Sequence, residues 1–246
     1  MKQKIKVLMI IPAYNEEDSI AKVIEEIRNN IKYADIIVIN DCSTDKTEQI
    51  VKEKNVPVIT HLYNGGYAMG IQTGIKYAKE NNYDYAIQFD ADGQHIASEA
   101  ARLLELCIET NSDIVIGSRF IENNGYVQPL LKAFAVGIFK YLIKLFCKKT
   151  ITDPTSGFQC LNRKTIEWFS KAGNYPEYPD ANLIIDLLLK GFKISEVGVK
   201  MRPREFGESK MFNGIIKQGK YMINIFYTIF FILITNISFK KKEGGK

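Results

Sequence analysis

"AIQFDADGQH", residues 86–95, places two aspartates one residue apart where an apolar run stops. Tyr85, Ile87 and Phe89 alternate with smaller or polar residues, which is the period of a strand. In an extended chain, residues i and i+2 point to the same side. Asp90 and Asp92 therefore face the same way and repel each other unless something positive sits between them. Asp and Gly are also turn formers, so the pair alone leaves a turn and a cation site both open. The chain on either side decides between them.

Strand and helix signals alternate outward from this stretch. "KIKVLMII", "ADIIVIN", "VPVIT", "YDYAIQF" and "SDIVIGS" read as strands. "EEDSIAKVIEEIRNN" reads as an amphipathic helix with Ile20, Val23, Ile24 and Ile27 on one face. "STDKTEQIVKEK", "YAMGIQTGIKYAKEN" and "ASEAARLLELCIET" read as helices too. Five short apolar strands separated by helices predict an α/β fold, a mostly parallel sheet covered on both faces. Ligands of such sheets bind outside the carboxyl ends of the strands. The unusual residues sit there: Pro12 to Glu16 after the first strand, Asn40 to Asp45 after the second, Asp90 to Gln94 after the fourth, Arg119 after the fifth.

The second half is less regular. "LLKAFAVGIFKYLIKLFCKK" is an apolar helical stretch, "TDPTSGFQCLNRKTIEWF" a punctuated loop followed by a helix, "DANLIIDLLLKG" a helix, and "FKISEVGVKM" a strand. "RPREFGESKM" is a charged loop, and Met211 to about Phe239 reads as one long apolar helix. The expected organisation is a catalytic domain over residues 1–212 and a C-terminal apolar-basic helix and tail over 213–246.

The 246 residues are 46% hydrophobic and 25% charged, enough for a core and inconsistent with disorder. Four scattered cysteines and two distant histidines suggest neither a zinc site nor a disulfide framework, and thiols are expected reduced. Met1 to Lys6 leads straight into a strand, so no signal peptide is expected. The net charge of +5 is uneven. Residues 130–149 carry five lysines and no acid, and residues 210–246 carry seven lysines and one glutamate, which leaves the rest net negative. Two basic, apolar segments on an acidic body suit a membrane surface rather than nucleic acid.

Acids gathered at strand ends suit a hard cation, Mg²⁺ or Mn²⁺, held with substrate phosphates. Asp90 and Asp92 fit that role, and Gln94 adds an oxygen two residues on. Asp41 ends its own strand, where it would meet a nucleotide or simply cap the following helix.

"IPAYNEE" (11–17), "VINDCSTDKT" (38–47), "FDADGQH" (89–95), "IGSRF" (116–120), "DPTSGF" (153–158) and "REFGESK" (204–210) follow one another. In that order they resemble the family 2 glycosyltransferases, and most of all the dolichyl- and polyprenyl-phosphate sugar synthases. The resemblance covers roughly residues 5–212. Asn40 departs from it where the family often has an aspartate, and "NGGYAMG" (64–70) lacks a basic residue often found nearby. The resemblance implies a GT-A fold, a UDP- or GDP-sugar donor, a divalent metal and inversion at the anomeric carbon. It implies that Pro12, Tyr14, Glu16 and Asp41 contact the nucleoside and that Asp90, Asp92 and Gln94 hold the metal. Arg119, Arg204, Ser209 and Lys210 would line the donor pyrophosphate and the acceptor phosphate, where arginine can clamp bidentately.

A hydroxyl acceptor needs a general base, for which the sequence offers Asp153; a lipid phosphate arrives ionised and needs none. The expected activity is therefore sugar transfer to a polyprenyl phosphate at the cytoplasmic face of the membrane. The alternative is transfer to a sugar hydroxyl of a surface polysaccharide. A nucleotidyltransferase would need a glycine-rich, basic triphosphate loop that the N-terminus lacks, and a catalytically dead scaffold would not need the acid pair. Lys140, Lys144 and Lys148 form a stripe beside apolar residues, as in an interfacial helix. Met222–Phe239 has 18 uncharged residues, short for a membrane span, so the tail is expected to lie in the interface or to pack its polar stripe against a membrane partner such as a small membrane protein, with a single C-terminal anchor as the alternative.

Overall fold

The computed structural model describes residues 5–122, 130–203 and 215–243, with side chains at 5–122, 133–203 and 219–235. Arg204, Ser209 and Lys210 lie outside the described residues. The elements run β1 (Val7–Ala13), α1 (Ile20–Asn30), β2 (Ala34–Asn40), α2 (Thr47–Glu53), β3 (Val58–Thr60), α3 (Tyr67–Glu80), β4 (Tyr85–Gln88), α4 (Ala97–Thr110), β5 (Ile114–Ser118), α5 (Leu130–Cys147), β6 (Gln159–Asn162), α6 (Arg163–Phe169), α7 (Ala181–Leu189), β7 (Ile194–Gly198) and α8 (Ile215–Glu243).

The sheet has seven strands in the order β3-β2-β1-β4-β6-β5-β7. β1 pairs in parallel with β2 and β4, β2 with β3, and β5 with β7; β6 runs antiparallel between β4 and β5. The sheet is thus mostly parallel and flanked by helices, and it contains a strand, β6, in a stretch whose sequence reads as a loop leading into a helix. The chain adds β2 and β3 on one side of β1 and then returns to place β4 on the other, so the strand order switches between β1 and β4 at their carboxyl ends, and ligands of open α/β sheets bind at such a place.

Central strands buried on both faces read as continuous apolar runs. Val7 through Ile11 of β1 are all essentially inaccessible, as are Ile37 to Ile39 of β2. α1 covers this part of the sheet with Ile20, Val23, Ile24 and Ile27, the i, i+3, i+4, i+7 face read from sequence. α3 packs closest: a Cβ on Gly74 would stand 2.2 Å from Cγ2 of Ile10, and one on Gly70 3.1 Å from Pro12.

The chain forms two compact units. One comprises Met1–Val127, Ser156–Glu177 and Lys193–Phe206, and holds the whole sheet; the other comprises Gln128–Thr155, Tyr178–Phe192 and Gly207–Lys246. In the second unit α7 packs on both α5 and α8. Tyr221 of α8 donates its hydroxyl to Asp180 at the start of α7, and both residues are buried. Ile225 and Ile229 continue the buried row of α8 at a spacing of four. Phe226, Tyr227, Phe230 and Phe231 stand exposed on other faces of the same helix. No helix among the described residues is long and apolar enough to cross a membrane.

Candidate functional site

Two loops at the carboxyl ends of β1 and β2 are laced together by reciprocal hydrogen bonds. The Asn15 N–H donates to Ser43 Oγ at 2.9 Å, and the Thr44 N–H to Asn15 Oδ1 at 2.8 Å. The Glu16 N–H donates to Thr47 Oγ1 at 2.8 Å, and the Lys46 N–H to Glu17 Oε2 at 3.1 Å. Asn15 has φ 54°, a left-handed turn that asparagine tolerates better than most residues. Pro12 and Tyr14, half-buried, sit at the rim of this braced edge, as does Glu16, whose carboxylate accepts from Ser19 Oγ.

Asp41, one residue past β2, is 4% exposed. Its carboxylate accepts from the Gly65 N–H at 2.9 Å and the Gly66 N–H at 2.8 Å, and His61 Nδ1 lies 2.8 Å away. The other ring nitrogen of His61 meets Thr73 Oγ1 of α3 at 2.9 Å. Asp41 therefore fastens the turn before α3 as well as closing β2.

The acid pair follows β4 directly. The Asp90 N–H donates to His95 Nδ1 at 2.9 Å, which puts the proton of a neutral ring on Nε2, 3.6 Å from Asp90 Oδ2. His95 is 2% exposed, stacked on Phe158 at 4.3 Å and edge-on to Phe89. Burial lowers its pKa to about 4; Asp92 opposes this and Arg119 adds to it. Asp92 Oδ1 accepts from the Gln94 N–H at 3.0 Å, across Gly93 with φ 77°. Behind the loop, the Arg202 N–H donates to the Gln94 carbonyl at 2.9 Å, and the Arg202 guanidinium forks onto Glu26 at 2.6 and 3.1 Å. Glu26 also accepts from the Ala97 N–H at 3.0 Å. Burial works against ionisation of Glu26, but Arg202 and the Ala97 N–H outweigh it and hold its pKa below the ordinary value. A cavity of about 150 Å³ opens here between Asp92, Gly93, Lys22, Glu26 and Arg202.

Among the described residues, no group of three or more His, Cys, Asp or Glu could hold a metal by itself. The acid loop offers two carboxylates and the Gln94 amide, all hard oxygen donors. That set suits Mg²⁺ or Mn²⁺ shared with phosphate oxygens, and fits neither zinc nor a closed all-protein cage.

Residues 9–169 match Glycosyl transferase family 2. The chain belongs to this family. The family 2 glycosyltransferase is 28% identical over 229 residues to the UDP-N-acetylglucosamine–dolichyl-phosphate N-acetylglucosaminyltransferase of Methanococcus voltae, with 85% of this chain and 91% of that one covered. It is 27% identical over 230 residues to the undecaprenyl-phosphate mannosyltransferase of Micrococcus luteus, covering 89% and 92%. Its fold resembles that of glucosyl-3-phosphoglycerate synthase from Mycobacterium tuberculosis, solved with Mn²⁺, UDP and glucosyl-3-phosphoglycerate, with a TM-score of 0.65 at 16% identity over 93% of this chain and 80% of the other.

In this glycosyltransferase, Pro12, Tyr14, Glu16, Asp41, Asp90, Asp92 and Gln94 all fall at the carboxyl ends of β1, β2 and β4. Arg119 follows β5, with its guanidinium 5.6 Å from the centre of the Phe120 ring. Asp153 belongs to the second unit, is fully buried, and accepts from Thr155 Oγ1 at 3.3 Å. Four residues of the site escaped sequence reasoning. His95 had a signal, since it closes the same motif as Asp90. His61, Glu26 and Arg202 had none: each is an ordinary polar residue locally, and its role arises from a contact 20 to 176 positions away.

Proposed function

We propose that this glycosyltransferase moves a sugar from a nucleoside-diphosphate sugar to a polyprenyl phosphate at a membrane surface, with a divalent cation at Asp90, Asp92 and Gln94. The observation that carries the reading is the acid pair at the end of β4, braced from behind by His95 and Arg202, with hard oxygen donors that suit a cation shared with phosphate oxygens. The metal, when bound, would stabilise the charge that develops on the departing diphosphate. The chain's own part is geometric. The laced loops at β1 and β2 offer a rigid edge for the nucleoside, and the Asp92–Gln94 turn fixes the second carboxylate. Arg119, with Arg204 and Lys210 by family resemblance, supplies positive charge for the two phosphates, and Ser209 a hydroxyl that can donate to them.

The names of the relatives support a lipid-phosphate acceptor, and so does the burial of Asp153. A base must reach the acceptor proton, and a carboxylate at 0% exposure is poorly placed for it. A phosphate acceptor removes that requirement. The membrane reading draws on the second unit. Exposed aromatic and aliphatic side chains on α8 join Phe134, Tyr141 and Leu145 on α5, beside Lys140 and Lys144. Thr228 and Thr235 turn their hydroxyls back onto the carbonyls of Asn224 and Phe231, which hides polarity from an apolar surface. A helix lying in the interface fits these features.

Labelled UDP- and GDP-sugars incubated with undecaprenyl phosphate and Mn²⁺ test the proposal. A charged, organic-extractable labelled lipid is the expected product. Label that appears only as free sugar with every donor would reject the lipid acceptor.

A further inference from the structure

A few residues past β7 the chain meets the acid loop again. Met201 and His95 form an isolated antiparallel bridge. The Arg202 peptide then binds Gln94 twice: its N–H donates to the Gln94 carbonyl at 2.9 Å, and its carbonyl accepts from Gln94 Nε2 at 3.4 Å. With the amide nitrogen turned to that carbonyl, the amide oxygen of Gln94 points elsewhere. Gln94 in turn donates its N–H to Asp92 Oδ1 at 3.0 Å. The place of the Arg202 peptide therefore bears on two of the oxygen donors of the loop at once.

Packing does not fill the space between this loop and α1. The cavity of about 150 Å³ is lined by Asp92 and Gly93 on one side and by Ser19, Lys22 and Val23 on the other. The guanidinium of Arg202 spans from the loop to the helix, forking onto Glu26 at 2.6 and 3.1 Å, a geometry that a lysine, as a point charge, would not reproduce. Glu26 is itself held. Its Oε1 accepts from the Ala97 N–H at 3.0 Å, doing for the start of α4 what the N-cap residue Ile96 has no side-chain acceptor to do. The Arg202 and Glu26 side chains are 42% and 21% exposed, and a pair so open to water adds little to folding stability. Its two-pronged geometry instead fixes a position.

We propose that Glu26 and Arg202 are positioning residues for the metal site: their ion pair anchors the Arg202 peptide to α1, and that peptide aims the Gln94 amide oxygen and steadies Asp92. The inference rests on the reading of Asp92 and Gln94 as metal ligands. Partners that orient ligating groups from behind change metal affinity by about 10–100-fold.

The test uses the full chain and reads free Mn²⁺ by electron paramagnetic resonance, in the presence of saturating UDP and, separately, GDP. Glu26→Gln keeps an oxygen for the Ala97 N–H but removes the charge that Arg202 forks onto. Arg202→Met keeps the apolar stem and the peptide but removes the fork. Each should weaken Mn²⁺ binding by about tenfold and leave the thermal midpoint nearly unchanged. The double variant should bind no worse than the weaker single variant, because both substitutions break one link. Arg202→Lys, with the charge but not the fork, should fall between wild type and Arg202→Met. Asp92→Asn is the control for the underlying site. If Asp92→Asn loses Mn²⁺ while Arg202→Met and Glu26→Gln bind like wild type, the positioning role is overturned and the metal site stands. If the two variants lose Mn²⁺ only in step with a fall in the thermal midpoint, the pair is merely structural and the inference is again overturned. Multiplied losses in the double variant would show that the two residues do not act as a pair. If Asp92→Asn itself binds normally, the metal reading has failed and the inference falls with it.

Discussion

With the His95 Nδ1 lone pair occupied by the Asp90 N–H and the ring stacked on Phe158 and edge-on to Phe89, the imidazole braces the acid loop in its neutral form. Its pKa of about 4 lies below the ordinary 6.5. Below pH 6.5 the unfolded chain therefore takes up a proton that the folded ring refuses until about pH 4. The stability due to the neutral ring is complete above 6.5 and drains away as pH falls through that window, by about 3 kcal/mol in all. Urea midpoints at pH 7.5, 6 and 5 should fall accordingly. His95→Asn, which keeps an acceptor near Asp90 and does not titrate there, should lose most of that slope; an unchanged slope would place the acid lability elsewhere. Asp92→Asn should behave oppositely, sparing the midpoint and lowering sugar transfer by about 10²-fold or more at moderate Mn²⁺. Asp90, Asp92 and Gln94 were legible in the sequence because one short segment carries them. His61, Glu26 and Arg202 were not, because distant pairing leaves no local period or spacing to read.

At the scale of elements, the legible parts were those whose burial imprints a period. α4 and β2 begin and end where the sequence places them, and the buried face of α1 is the predicted one. β6 was missed because it is four residues long, follows a Pro- and Gly-punctuated turn, and runs antiparallel where a parallel pattern was expected. The close seat of α3 on β1 was also invisible, since it depends on the missing side chain of Gly74. Gly74→Ala should cost about 1–3 kcal/mol by overpacking against Ile10. Combined with Ile10→Ala, the loss should be smaller than the sum of the two single losses, measured by urea unfolding. In α8, Ile225 and Ile229 are buried, so removing the helix would strip part of the second unit as well as any membrane contact. Substituting the exposed Phe226, Tyr227, Phe230 and Phe231 with serine separates the two effects. Flotation with anionic liposomes should drop sharply while the thermal midpoint holds; undiminished flotation would move the membrane contact away from this face.

At the scale of the whole molecule, charge and chemistry divide between segments. The lysines of 130–149 and 210–246 offset an otherwise acidic chain, and each lysine near an anionic surface contributes about 1 kcal/mol of attraction. Asp41, Asp90 and Asp92 instead follow the carboxyl ends of β2 and β4, where a cation and a nucleoside diphosphate would neutralise them. This distribution suits an enzyme whose donor is water-soluble and whose acceptor is a lipid with an ionised head. The most direct test of that claim compares two acceptors that differ only in the head group, undecaprenyl phosphate and undecaprenol, in the same liposomes with Mn²⁺ and a labelled nucleotide-sugar donor. The account predicts label on the phosphate and essentially none on the alcohol, with transfer to the phosphate lost in Asp92→Asn. Equal labelling of the alcohol, or full transfer by Asp92→Asn, would contradict it.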